Sequence, residues 1–241
     1  MSQPTATLDR STARLAGGSL ALASVLAIAG FTVLGSVFQY PQILDQPIDD
    51  ILALYREHQS TVMTWFGVLT ISSALLAPAG YWLGRLAGGT LGRWITALGI
   101  AAATVQVVGL QRWVTLVPGI SEDARDPALR AAAENRFELL HTLLGKAIGE
   151  TAGYALTAAF TVLVVIALRH TVLPNWLGYI GFLAAGLIAT GIVIPVFDPA
   201  SLTNFAGYVL WCAWLLAAAF MLYRNTRRTE SPNRRRAVSF S

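Results

Sequence analysis

The stretch Thr151–Leu168, TAGYALTAAFTVLVVIAL, runs for eighteen residues without a charge. As a helix rising 1.5 Å per residue it is about 27 Å long, close to the ~30 Å hydrocarbon thickness of a bilayer. Its apolar residues are continuous rather than alternating, which selects a helix over a barrel strand. Working outward, five more segments meet the same test: Leu15–Phe38, Thr61–Gly84, Leu91–Val117, Val172–Phe197 and Asn204–Tyr223. The expected fold is all-α: an integral membrane bundle of six transmembrane helices, with short surface helices on the outer side. Residues 15–224 form the bundle. Residues 1–14 are read as a cytoplasmic N-terminal segment and 225–241 as a basic, disordered cytoplasmic tail.

Composition agrees. Of 241 residues, 55% are hydrophobic and 12% charged, where soluble domains carry about 25% charged residues. That excludes a disordered chain and argues against a soluble domain. The single cysteine, Cys212, rules out an internal disulfide framework and is read as a small buried residue. The first apolar run, behind Arg10 and Arg14, is far longer than the 7–15 residues of a signal-peptide core, so it reads as an uncleaved anchor.

The arginines orient the bundle. With six spans both termini share a side, and that side carries Arg10, Arg14, Arg85, Arg93, Arg169, Arg224, Arg227, Arg228, Arg234, Arg235 and Arg236. The other carries Arg56, Arg125, Arg130 and Arg136. Basic residues favour the cytoplasm, so both termini are expected there, in the cell membrane. The basic tail suits anionic lipid head groups, with no role in binding nucleic acid. Tyr40, Trp65, Tyr81, Trp82, Trp94, Trp113, Trp176 and Tyr223 fall near span ends, where amphipathic rings prefer the interface.

Two outer loops hold more than a turn. In the first, Asp45 is placed to cap a helix with Pro47 in its first turn. Ile48, Ile51, Leu52 and Tyr55 would share one face, as in an amphipathic helix lying on the membrane surface. In the second, Asp126-Pro127 starts a helix that meets no breaker before Arg169. At about 63 Å it is twice the hydrocarbon thickness, so its first half must project or bend near Gly145 and Gly149.

Polar residues gather at one level. Gln106, Gln111, Arg112, Glu138, His141, Glu150, Asn204 and Tyr208 all fall in or near the outer leaflet, where ionisable groups mark functional sites by default. Gly145, Gly149 and Gly153, spaced by four, form a small-residue stripe for close helix packing. On a regular helix Glu138 and His141 share a site, whereas His141 and Glu150 lie near 180° apart. Glu138-Leu-Leu-His141 has the spacing of di-iron bundles, but no second copy exists, so no metal and no cofactor is expected. HExxH, GxSxG, GxGxxG and phosphate-loop signatures are all missing.

Several stretches carry a resemblance. They are Gln106-Val-Val-Gly-Leu-Gln-Arg-Trp113 with Val117-Pro118, Phe137-Glu-Leu-Leu-His141, Gly149-Glu-Thr-Ala-Gly-Tyr154, Leu173-Pro-Asn-Trp-Leu-Gly178 and Asn204-Phe-Ala-Gly-Tyr-Val-Leu-Trp211. In this order they are similar to bacterial multi-pass membrane proteins grouped as domain of unknown function 4386, over about Leu15 to Arg224. The resemblance implies six spans and supplies no activity. Three functions remain open. The first is binding or transport of a small-molecule or lipid-like ligand in an outward-facing pocket. The second is an accessory role beside a membrane protein partner, with Arg112 held in ion pairs. The third is an enzyme using Glu138 and His141 as an acid–base pair on lipid.

Overall fold

The structure, a computed structural model, describes residues 9–169 and 171–228. His170, Arg234, Arg235, Arg236 and the part of the expected tail beyond Arg228 lie outside the described residues, as does the N-terminal segment before Asp9. Ten α-helices form, and no strand occurs among the described residues: α1 (Arg10–Val37), α2 (Ile48–Glu57), α3 (Gln59–Ala74), α4 (Leu76–Ala87), α5 (Gly89–Thr115), α6 (Val117–Asp123), α7 (Arg130–Leu140), α8 (Gly153–Leu168), α9 (Asn175–Ala189) and α10 (Ala200–Arg228). Between α7 and α8 the chain is π-helical from His141 to Ala152. Six stretches are long and apolar enough to cross a membrane: α1, Gln59–Ala87, Gly89–Asp123, Arg130–Leu168, Asn175–Val193 and Ala200–Asn225. The molecule is an all-α membrane bundle.

Local chemistry sets the joints. Asp9 caps α1 by accepting from the Ser11 amide at 3.2 Å. The second span is interrupted at Leu75, between α3 and α4, where Pro78 has no N–H to bond back to Ala74. The turn into α5 is made by Gly88 and Gly89 at φ +67 and +56, a backbone region that a side chain disfavours. The last helix extends past the expected Tyr223 to Arg228.

Every span packs against its neighbours in the chain, and α1 meets α10, so the six close into a ring. The interior is filled by small and large residues in alternation, including Ala16, Leu20, Ala79, Leu83, Phe160, Trp211 and Trp214. Interhelical hydrogen bonds fasten the ring where hydrophobicity gives no preference between lipid and protein. Ser24 donates to the Cys212 carbonyl at 2.9 Å, and Ser72 to that of Ala23 at 2.7 Å. Trp211 donates to Thr161 at 2.8 Å, and Trp214 to the Leu177 carbonyl at 2.9 Å. Cys212 is buried, 8% exposed.

A second core caps one end of the ring. Ile51, Leu52 and Tyr55 of α2 do form one buried face, but they pack on protein rather than on a membrane surface. Their neighbours are Phe38, Phe66, Trp113, Ile120 and Phe137. Asp45 does not cap α2. It ends a 3₁₀ turn (Gln42–Asp45), and Gln46, as the residue before Pro47, is forced into extended geometry that separates the two. The second loop also differs from expectation. Asp126 accepts from the Ala128 amide at 2.9 Å, but the regular helix begins at Arg130. Of the two alternatives, projecting or bending near Gly145 and Gly149, projection is not taken, since the first half of that helix, α7, folds onto α2 and α6. Arg56 donates to the Ser121 carbonyl at 3.1 Å, and Arg136 pairs with Asp123.

Trp113 is the centre of this cap and not an interfacial ring. It is fully buried, stacked on Phe66 at 5.0 Å and edge-on to Phe38 at 5.2 Å. Trp94 (60% exposed) and Trp176 (55% exposed) do point outward near span ends. Tyr55 donates to the Trp113 carbonyl at 3.0 Å, and burial pushes its phenol above the ordinary range, so it stays a donor. Tyr55→Phe is expected to lower stability by about 0.5–1.5 kcal/mol, the net worth of one hydrogen bond. Thermal unfolding in detergent, compared with the parent chain, measures this directly.

Candidate functional site

The expected polar layer divides into three groups. Gln106 is a structural bridge. It accepts from Ser73 at 3.2 Å and donates to Thr157 at 2.8 Å, linking the second, third and fourth spans. Asn204 donates to the Ile188 carbonyl at 2.7 Å and fastens the sixth span to the fifth. Gln111 is half-buried, and Glu138 is exposed and makes no hydrogen bond to His141. The acid–base pair read from their spacing is therefore not formed.

The remaining residues converge on Arg112. This arginine is 5% exposed, donates from Nη1 to the Gly109 carbonyl of its own helix, and lies with its guanidinium 5.2 Å from the Trp113 ring. Its Nη2 faces His141 Nδ1 at 3.4 Å. His141 is 8% exposed and stacks on Phe137 at 5.8 Å. Arg112 Nε and His141 Nε2 are both buried without a hydrogen-bond partner among the described residues. No described carboxylate lies within 4.0 Å of Arg112, so the ion pair required by the accessory reading is not present.

The π-helix changes the angular position of Glu150 relative to His141. Its i→i+5 bonding gives about 4.4 residues per turn, so nine residues make close to two full turns. The separation of about 180° between His141 and Glu150 expected on an α-helix therefore does not apply here. Arg112, Tyr40, Tyr154 and Tyr208 lie within electrostatic range of Glu150, which has no hydrogen bond to any of them among the described residues. Tyr154 and Tyr208 meet edge to face at 5.8 Å. Lys146 is exposed.

Glycines make this arrangement sterically feasible. A Cβ on Gly145 would lie 2.9 Å from Arg112 Cζ, and one on Gly149 2.9 Å from Gly109 Cα. On Gly153 it would lie 3.3 Å from Gln106 Cγ. The stripe thus faces α5, with Gly145 leaving the space that the guanidinium fills.

One member was not read from the sequence. Tyr40, more than seventy residues before Arg112, packs on Phe66 at 5.2 Å and lies within electrostatic range of both Arg112 and Glu150. Burial, and then the Glu150 carboxylate, push its phenol above the ordinary range against the pull of Arg112. A tyrosine at a span end carries no mark that separates such a role from interfacial anchoring. Two open depressions lie at the other end of the bundle, beside Arg169. No group of three or more metal-ligating side chains occurs among the described residues.

The family described as "Domain of unknown function (DUF4386)" matches residues 15–219. No curated protein matches, and no solved structure does.

Proposed function

The chain belongs to the DUF4386 family, whose description assigns no activity, and from the geometry we propose that the Arg112 layer binds the anionic end of a small or lipid-like ligand. The observation that carries this is a buried guanidinium with no carboxylate in salt-bridge reach, beside a histidine nitrogen that is also without a partner. An unpaired charge in a low-dielectric interior is costly, and a planar guanidinium matches a carboxylate or phosphate. In this reading Arg112 holds the anion, His141 orients it, and Glu150 with Tyr40, Tyr154 and Tyr208 carries a proton or cation. The twelve-residue π-helix supports it, since such turns concentrate at functional sites. Arginine distribution supports a cell-membrane location with cytoplasmic termini and an outward-facing cap. Ligand entry then requires the cap of α2, α6 and α7 to open. Either binding or transport follows from such an opening.

Native mass spectrometry of the protein released from mild detergent tests the proposal. A discrete added mass is expected, lost in Arg112→Ala while the helical circular-dichroism signal is kept. At a hundred times its Kd the ligand should stabilise the parent chain by about 2.7 kcal/mol. A bare monomer mass, with no melting shift in a lipid and metabolite screen, sinks the idea. A mass shared with a second polypeptide would favour the accessory role instead.

A further inference from the structure

The opposite end of the bundle holds an open depression of about 730 Å³ between the residues that follow α8 and the end of α10. Two arginines from different helices line it: Arg169 just after α8 and Arg224 on α10. Both are exposed, and neither has a carboxylate within salt-bridge distance among the described residues. The wall between them is the first turn of α9, where the Asn175 and Trp176 amides have no side-chain cap and those of Leu177 and Gly178 are bonded to the Pro174 carbonyl. Asn225 donates to the Val172 carbonyl at 3.1 Å and so holds α10 against that wall.

We propose that this depression binds the phosphate of an anionic phospholipid, independently of the Arg112 layer. Three sources of positive potential converge on it: two guanidinium groups and the amides of a 15-residue helix N-terminus. Phosphate alone would not need what lies beside it. A smaller depression, sharing Arg169 and Asn175, continues along α9 past Gly178, Tyr179 and Phe182. Trp176, Tyr179 and Leu183 then form an exposed apolar row down the helix, 55%, 71% and 57% exposed. A polar head and an apolar track in this order fit a lipid seated at the interface better than a soluble phosphate. Basic pockets between membrane helices take such head groups elsewhere.

The test uses the full chain in mild detergent, with phosphatidylglycerol, phosphatidylcholine and inorganic phosphate as separate probes. Retained lipid is counted by native mass spectrometry. Phosphatidylglycerol should be retained by the parent chain, and at least tenfold less by the double variant Arg169→Gln, Arg224→Gln. Arg93→Gln, an exposed arginine at the same end outside the depression, should retain it as the parent does. Unchanged melting of the double variant shows that folding is intact, and both sites are exposed enough to expect this. A Lys, Lys double variant keeps the charge and should recover part of the retention. Equal retention in the Gln variant, or equal retention of phosphatidylcholine, overturns the proposal. Displacement of the lipid by millimolar inorganic phosphate overturns the lipid assignment in favour of a soluble phosphate compound.

Discussion

Trp113→Ala should be the most damaging single substitution in the cap, lowering stability by about 3–5 kcal/mol. The indole is fully buried and touches Phe38, Phe66, Tyr55 and Phe137. These rings come from four separate segments of the chain, so removing the indole loosens all of them together. The cavity left would be lined by rings that are themselves packed on one another, which limits collapse. Arg112 would also lose the aromatic face beside its guanidinium. Limited proteolysis is the sharp readout, since the peptide bonds of α2, α6 and α7 should become cleavable while α1, α3, α4, α5, α8, α9 and α10 stay protected. Trp94→Ala removes an equally large side chain that is 60% exposed and should leave the cleavage pattern unchanged. If the two variants melt and cleave alike, the cap is not organised around Trp113.

That prediction depends on a distinction the sequence does not carry. Trp94, Trp113 and Trp176 all stand near span ends, and interfacial anchoring is the ordinary reason for that position. Only the fold of the loops decides which ring is covered. The same ambiguity affects α2. The face of Ile51, Leu52 and Tyr55 is legible as apolar, but periodicity cannot say whether lipid head groups or Trp113 lie against it. The spans themselves were legible because the signal is strong and local: a charge-free run long enough to cross hydrocarbon has few other stable solutions in a helix. Their joints were not read, because the effects of Pro78 and of the pair Gly88 and Gly89 fall on a few neighbours inside or beside an otherwise continuous apolar run. Nor was the π-helix. Face assignments at 3.6 residues per turn put His141 and Glu150 on opposite sides, and a change of hydrogen-bond register leaves no pattern in composition. The Glu138 and His141 pairing failed for a related reason, because His141 turns toward Arg112 on α5 and leaves Glu138 outside.

Gly149→Ala is expected to destabilise the bundle by about 1–3 kcal/mol, and Gly109→Ala by a similar amount. Both numbers follow from one close approach. A Cβ on Gly109 would stand 2.6 Å from Gly149 Cα, and one on Gly149 would stand 2.9 Å from Gly109 Cα. The obstructing atoms are backbone, which cannot rotate away as a side chain does, so α5 and the π-helix must separate. Arg112 and Gly145 lie one turn further along the same contact, so the separation also pulls the guanidinium away from His141. Loss of any mass bound at Arg112 should therefore accompany the loss of stability, without a change to a polar residue. Gly186→Ala is the opposite case. No atom lies within 4 Å of its would-be Cβ, and a helical alanine is favoured over glycine by up to about 1 kcal/mol. The same one-carbon addition should thus raise the melting temperature on α9 and lower it where α5 crosses the π-helix. Two substitutions that move the melting point in the same direction would show that helix propensity, rather than the Gly109–Gly149 contact, governs both sites.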